Sequence, residues 1–171
     1  MNRELFQPTP AAEARLLLLI DAFTQSRGSL DGRTKLAKLD FFLRYPPYFK
    51  RAMAIRRPKA TVPNGLDDDT IESRMVRYRY GPWDPAYYSL LGSLIGRGLI
   101  VPILGSNGMG YRTSEAGAEL AQRLANTDAW YQTAEVTNLL VKHFDLTGNS
   151  LKKFIYDHFP EVSDARWGEI L

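Results

Sequence analysis

The residues best suited to binding lie in one run in the middle of the chain, residues 74–84. This run holds three arginines, two tyrosines and a tryptophan, and its strand-like part stops at a turn. Because alternate side chains of a strand point to opposite faces, we expect Arg77 and Arg79 on one face and Val76 with the two tyrosines on the other. A face with two arginines can bind an anionic group. The structural alternative is a surface arginine pair over an ordinary half-buried strand.

Composition describes an ordinary globular protein. The chain has 171 residues, of which 44% are hydrophobic and 24% charged, enough for one domain or for one domain with a helical appendage. A formal charge of +3 and a pI near 9.2 permit contact with nucleic acid or with an acidic partner. The sequence contains no cysteine, which excludes disulfides and thiol chemistry.

Nothing in the sequence predicts a membrane segment. The longest aliphatic run, residues 16–20, is far too short to cross a bilayer, and the first ten residues lack the apolar core of a signal peptide. We therefore expect a cytoplasmic protein with no membrane partner.

Three helices are predicted before the arginine run. Thr9-Pro10 is a capping signal for a helix over residues 10–25, whose leucine-rich centre is apolar nearly all round and should lie in the core. A second helix, residues 33–44, has an apolar stripe that excludes Lys35 and Lys38. Two prolines then prevent continuation, and a third helical piece follows over residues 48–55.

Residues 58–70 read as a mobile loop that ends in the acidic run Asp67-Asp68-Asp69. A metal cage needs oxygen ligands that converge, whereas adjacent residues of a loop diverge, so we interpret the run as solvated or capping. A short helix over residues 69–75 fits between this loop and the arginine run.

Asp84-Pro85 opens a helix over residues 85–97, followed by a hairpin over 99–113 and a helix that Thr113 or Ser114 caps and that ends near 126. The predicted apolar stripe of the helix 85–97 is Tyr87, Tyr88, Leu91, Leu94 and Ile95. The other side of this helix carries small residues, so that another helix or a phosphate backbone can approach it closely. These residues are Ser89, Gly92, Ser93 and Gly96.

This order of elements is that of a winged-helix domain over residues 1–126, with the helix 85–97 as the recognition helix and residues 105–110 as the tip of the wing. The helix carries serine and glycine where a DNA reader has arginine, lysine, asparagine or glutamine, and Arg97 is at its wrong end. Sequence-specific reading is therefore disfavoured, whereas DNA backbone contact through the basic strand is compatible with the pattern.

Residues 127–171 are predicted to form a C-terminal helical appendage. One helix covers residues 128–144, and a second, capped by Asn149 or Ser150, continues to Phe159 and ends at Pro160. The aromatic residues of this second helix dock on a partner or pack back on the same domain.

The sequence offers no catalytic constellation. His143 and His158 lack cysteine companions, and no phosphate-binding loop, nucleophile elbow or HExxH motif occurs. Asp40 or Glu72 is expected to pair with an arginine of the strand, because a partly buried charge needs a partner. We expect no enzyme activity, no cofactor and no metal.

Four blocks carry a family resemblance: LDFFLRYP at 39–46, RMVRYRYGPWD at 74–84, GLI at 98–100 and LKKFIYDHFPEV at 151–162. Together they resemble the small middle component of prokaryotic ABC three-component defence systems of the Lamassu type. The resemblance covers roughly residues 30–171. It implies an accessory subunit beside an SMC-like, Rad50-like ATPase and a separate effector, commonly a nuclease, in immunity against phages or plasmids.

We therefore predict a non-catalytic adaptor that bridges the ATPase and the effector, with double-stranded DNA backbone as a secondary partner. The alternatives are a free-standing winged-helix transcription regulator and a nuclease that uses the acidic loop. The candidate residues for binding a partner or DNA are Arg74, Arg77, Arg79, Tyr80, Trp83, Arg97, Phe154 and Tyr156.

Overall fold

The computed structural model describes residues 8–66, 75–78, 81–106 and 108–171. Within these ranges the chain forms eight helices and four short strands, and the strands pair as two separate antiparallel hairpins. The protein is thus mainly α with a small β component, which confirms the predicted class. No helix in the described part of the chain is long and apolar enough to cross a membrane.

Helix α1, Pro10–Arg27, lies at the centre of the fold. The Thr9 hydroxyl caps it by accepting a hydrogen bond from the Ala12 amide at 3.1 Å. It ends at Arg27, two residues beyond the predicted end, and is followed by Gly28, whose φ of 87° favours glycine. The leucine-rich centre is buried because α2, α4, α5 and α6 all pack around this helix, as its sequence predicted.

Helix α2, Arg33–Arg44, has the predicted bounds but is buried over most of its surface. Its buried residues include Lys38, which the periodicity wrongly placed off the apolar stripe, as well as Asp40 and Arg44. Helix α3, Pro46–Arg56, begins at the two prolines rather than after them, because the first turn of a helix needs no amide donors.

The arginine run does not form one strand that stops at a turn. Strands β1, Val76–Tyr78, and β2, Gly81–Trp83, pair antiparallel with Val76 opposite Trp83 and Tyr78 opposite Gly81. The segment that reads as a stop is thus the second strand of a hairpin, and it begins at Gly81, whose φ of 97° favours glycine. The predicted helix at 69–75 and the acidic run at 67–69 fall outside the described residues, except that Met75 is not helical.

Helix α4, Tyr87–Gly96, leads into the hairpin of β3, Ile100–Gly105, and β4, Gly108–Thr113, and then into α5, Glu115–Ala125. Ser114 caps α5 by accepting from the Gly117 amide at 3.0 Å. Leu30, between α1 and α2, adds an antiparallel bridge to Tyr111 of β4. The second hairpin is therefore joined to the start of α2 through the backbone.

Helices α6, Tyr131–Phe144, α7, Gly148–His158, and α8, Pro160–Ser163, complete the chain. Helix α6 packs on α1 and α7 packs on α2, so their apolar residues belong to the same hydrophobic core. Thr147, not Asn149 or Ser150, caps α7, because its hydroxyl accepts from the Ser150 amide at 3.1 Å. Pro160 starts α8 instead of only ending α7. The division of the chain at residues 126 and 127 stays a prediction.

Candidate partner-binding surface

A buried ionic cluster fixes the first hairpin and α4 to the core. Arg15 of α1 binds the Asp40 carboxylate through two nitrogens, at 2.6 and 3.3 Å, and the Tyr87 hydroxyl donates to the same carboxylate at 2.7 Å. Arg44 donates to Asp84 at 2.6 Å and lies 3.8 Å from Asp40. Asp84 also accepts from the amide at the start of α4 at 2.7 Å. Of the two carboxylates predicted to bind an arginine of the strand, Asp40 instead binds Arg15 and Arg44, which α1 and the next turn of α2 bring close to it, and Glu72 lies outside the described residues.

These charges have a structural role. Two arginines face two carboxylates, and all four side chains are almost completely buried, so each charge is matched inside the core. Burial raises the pKa of Tyr87 well above its usual value, and the adjacent Asp40 carboxylate raises it further, so the phenol remains a donor. Burial alone would lower the pKa of Arg44, but the combined effect of Asp40, Tyr87 and Asp84 outweighs it and the net shift is upward.

Lys38 of α2 anchors the first hairpin by a hydrogen bond. Its ammonium donates to the Pro82 carbonyl at 2.8 Å, and the side chain is completely buried. Burial lowers the pKa of Lys38 to about 7, with a further contribution from the positive charge of Lys152. A Cβ atom at Gly81 would lie 3.0 Å from Lys38 Cε, so glycine also gives the lysine its room.

The end of the chain lies along β1 and completes this surface. Val76 bridges to Ile170, the Arg77 amide donates to the Glu169 carbonyl at 2.9 Å, and the Leu171 amide donates to the Met75 carbonyl at 2.9 Å. Tyr45 joins both segments, since its hydroxyl accepts from the Met75 amide at 2.8 Å and donates to the Leu171 carbonyl at 3.0 Å. The C-terminal segment therefore protects the outer edge of the hairpin.

Arg77 occupies the centre of the surface that results. Its guanidinium carbon lies 5.4 Å from the ring centre of Tyr156 and 5.5 Å from that of Trp167. Its Nε is buried and makes no hydrogen bond within the described residues. Trp167 and Ile170 beside it are exposed to 65% and 48%. We call these four residues, Arg77, Tyr156, Trp167 and Ile170, the hairpin–tail surface.

This position corrects the first interpretation of Arg77. The strand pattern predicted an arginine that projects freely from an exposed face, whereas the side chain is half-buried between two aromatic rings. Sequence reasoning did not include Trp167 or Ile170 among the binding residues. The available signal was Trp167, a tryptophan among polar residues near the end of the chain. It indicates a binding surface only once that segment is known to pair with β1.

Three other predicted binding residues make their contacts elsewhere. Trp83 packs edge-on against Tyr87, with ring centres 5.1 Å apart. Arg97 is exposed at the end of α4, 3.6 Å from Glu13. Phe154 packs on the core rings of Phe144 and Phe159, so its role is structural. Three further candidates lie outside the described residues: Arg74, Arg79 and Tyr80.

Helix α4 presents a different outer face from the one predicted. Its buried stripe is Tyr87, Leu90, Leu91 and Leu94, which leaves Tyr88 and Ile95 exposed with the small residues. A Cβ added at Gly92 or Gly96 would meet nothing within 4 Å, whereas Ser93 on the same small side donates to Glu13 of α1 at 2.7 Å, so α1 lies beside Ser93 and the two glycines stay open. The exposed face is neutral apart from Arg97 at its end.

No group of three or more histidine, cysteine or acidic side chains in the described ranges is arranged to hold a metal ion. His143 is half-buried on α6, and its pKa is lowered by desolvation and by nearby positive side chains. His158 packs on Phe154 with ring centres 4.6 Å apart. No family model, characterised protein or solved structure compared with the chain matches it.

Proposed function

We propose that this chain is a non-catalytic adaptor subunit that binds a protein partner through the hairpin–tail surface. The observation that supports this most is the state of Arg77, whose Nε is buried with no hydrogen bond to the described residues, next to an exposed tryptophan. A buried donor left without an acceptor costs about 1–3 kcal/mol. A partner that displaces the residues covering this nitrogen and supplies a carbonyl or carboxylate oxygen recovers that energy.

The composition of the surface also favours a protein partner. Arginine and aromatic residues are enriched at the energetic centres of protein interfaces, and burial of one large aromatic side chain contributes much of the binding free energy. Trp167 and Ile170 supply exposed apolar area on either side of Glu169, and Arg77 supplies the polar contact between the rings. The bound segment is therefore expected to combine an apolar side chain with an acceptor oxygen.

The partner that we propose is an SMC-like, Rad50-like ATPase or an effector nuclease, in a complex that defends the cell against phages or plasmids. This assignment follows the resemblance of the blocks at 39–46, 74–84, 98–100 and 151–162. The buried charges of Arg15, Asp40, Arg44 and Asp84 are all matched with one another, which agrees with a structural rather than a catalytic use.

We also assign the fold as a winged helix with an insertion of α3 and the first hairpin. The bridge between Leu30 and Tyr111 supports this assignment, because winged helices commonly pair a short segment between their first two helices with the wing. The same fold favours a transcription regulator as the second candidate. Its recognition position is α4, whose exposed face of Tyr88, Ser89, Gly92 and Ile95 offers few groups that read base edges. We therefore favour the adaptor.

Co-purification tests this proposal. The double variant Arg77→Gln, Trp167→Ala should keep the thermal melt of the isolated chain close to that of the wild type and lose co-purification with an SMC-like ATPase or nuclease subunit produced from the same operon. The matched control is Arg123→Gln, Tyr131→Ala, an exposed cation and an exposed aromatic residue on α5 and α6. If both variants co-purify like the wild type, the hairpin–tail surface is not the docking site.

A further inference from the structure

A basic cleft opens between the start of α2, the start of α7 and the tip of the second hairpin. Its volume is about 530 Å³. Polar side chains from two separate parts of the sequence line it, mainly Arg33, Thr34, Lys35, Thr147, Asn149 and Lys152. Gly148 lets the two helices approach closely, because a Cβ atom there would lie 2.9 Å from the Lys35 backbone nitrogen.

The cleft is lined by three cations and one carboxylate. The Arg33 guanidinium lies 5.1 Å from the ring centre of Tyr88, which orients it without neutralising it. Lys35 contacts Asp145 at 2.5 Å, at the edge where Arg27 binds the same carboxylate. Positive side chains are therefore in excess in this region.

The single carboxylate of the lining, Asp31, also contacts the second hairpin. Its Oδ1 accepts a hydrogen bond from the Ser29 hydroxyl at 3.0 Å. The same oxygen lies against the second hairpin, 2.9 Å from where a Cβ of Gly110 would stand and 3.1 Å from that of Gly105. Asp31 thus contacts the hairpin as well as the cleft, and its single charge is outnumbered by the three cations of the lining.

The charge of Lys152 also affects a lysine inside the core. Lys38 lies one turn beyond Lys35 on α2, and Lys152 lowers its pKa in addition to the larger effect of burial. The charge of Lys152 therefore acts across the wall of the cleft on a buried ammonium. An anion in the cleft would oppose that field.

We propose that the basic cleft binds phosphate groups of a nucleic-acid backbone, without regard to base sequence. Guanidinium, ammonium, hydroxyl and amide donors are the groups that proteins use on phosphate oxygens. The cations come from α2 and α7 and stand along an open cleft beside the exposed hairpin, which suits a polymer of phosphates better than enclosure of one small anion. This site differs from the hairpin–tail surface and does not depend on the proposed adaptor function.

Binding of the full-length chain to a short labelled DNA duplex of arbitrary sequence tests this proposal. The wild type should bind at low salt, and its affinity should fall steeply between about 50 and 200 mM salt because counterions are released. The double variant Arg33→Gln, Lys152→Gln should lose about tenfold in affinity, and its slope of log affinity against log salt should fall by about 2, one for each lost phosphate contact.

Matched variants separate charge in the cleft from charge in general. Arg123→Gln with Lys142→Gln removes two exposed cations from α5 and α6 and should leave the salt slope of the wild type unchanged. Arg33→Lys, which keeps the charge, should retain most of the affinity and guards against a folding defect in the double variant. Thermal melts of all variants are compared with that of the wild type.

Three results would overturn the proposal. The first is no duplex binding by the folded wild type at low salt. The second is an equal loss of affinity in the cleft variant and in the α5 and α6 control, which would mean diffuse charge. The third is binding of ATP or inorganic phosphate in the cleft with no duplex binding, which would assign the cleft to free phosphate compounds. The cleft variants should still co-purify with the protein partner, so this test and that of the adaptor fail separately.

Discussion

Replacement of Lys38 by methionine should remove a large pH dependence from the stability of this protein. Burial lowers the pKa of Lys38 from 10.5 to about 7 in the folded chain, whereas the unfolded chain keeps the ordinary value. At 1.36 kcal/mol for each pH unit, this difference corresponds to an unfavourable contribution of about 5 kcal/mol. The unfavourable contribution is therefore largest at a pH at which Lys38 is charged in the folded chain.

The sign follows from proton binding. Between pH 7 and 10.5 the unfolded chain holds the proton of Lys38 and the folded chain has released it, so the free energy of unfolding rises with pH. The unfavourable contribution is fully present below pH 7 and disappears as the pH approaches 10.5. From pH 7 to pH 9 the wild type should gain about 2 kcal/mol relative to Lys38→Met.

Urea unfolding at pH 6, 7, 8 and 9, followed by circular dichroism, measures this difference, provided that the denaturant slopes of the two proteins agree. The methionine variant also loses the donor to the Pro82 carbonyl, which adds a constant offset rather than a slope. Lys152→Gln is the matched second variant. It removes a charge that lowers the pKa of Lys38, so the rise should begin at a higher pH. Parallel curves for the wild type and Lys38→Met across pH 7–9 would refute the reasoning.

Three further predictions concern the same region. Asp40→Asn leaves the buried cations Arg15 and Arg44 facing each other and should destabilise the chain by about 3–5 kcal/mol, measured by urea unfolding. Gly81→Ala should cost about 1–2 kcal/mol in the same assay, because φ is 97° and the added carbon meets Lys38; an unchanged midpoint would contradict the hairpin geometry. Trp167→Ala should leave the thermal melt almost unchanged, since the side chain is 65% exposed, and a large drop would mean that it belongs to the core.

Local signals in the sequence predicted much of the secondary structure. The Thr9 cap, the bounds of α2, the second hairpin and the Ser114 cap depend on residues close together in the chain, and all are present. The class, mainly α with a small β component, follows from these elements. The apolar stripe of α4 was only partly right, because periodicity alone did not separate Leu90 from Ile95.

The candidate site was harder to predict because it depends on contacts between distant segments. Arg15 lies 25 residues from Asp40, and Tyr45 lies 126 residues from Leu171, so nothing local in the sequence indicated either pair. The pairing of the chain end with β1 decides that Arg77 lies between Tyr156 and Trp167. The alternation of residues along the strand predicted on which face Arg77 lies, but it did not predict which side chains cover that face.

The burial of Lys38 could not be predicted from the local sequence either. A lysine off the apolar stripe of a helix is normally exposed, and here the first hairpin and α7 cover that side of α2 as well. The ammonium is tolerated in the core because the Pro82 carbonyl accepts from it and because Gly81 leaves space above the side chain. Neither reason is visible before the hairpin is placed.

The affinity of the purified chain for the proposed partner, an SMC-like ATPase or an effector nuclease subunit, tests the central claim most directly. Biolayer interferometry would compare the wild type, Arg77→Gln and the exposed control Arg123→Gln, all confirmed as folded by thermal melts. Because an arginine at an interface centre contributes about 2 kcal/mol or more, Arg77→Gln should weaken binding by about 30-fold, and Arg123→Gln should bind like the wild type. Equal affinities for all three proteins would contradict docking through the hairpin–tail surface.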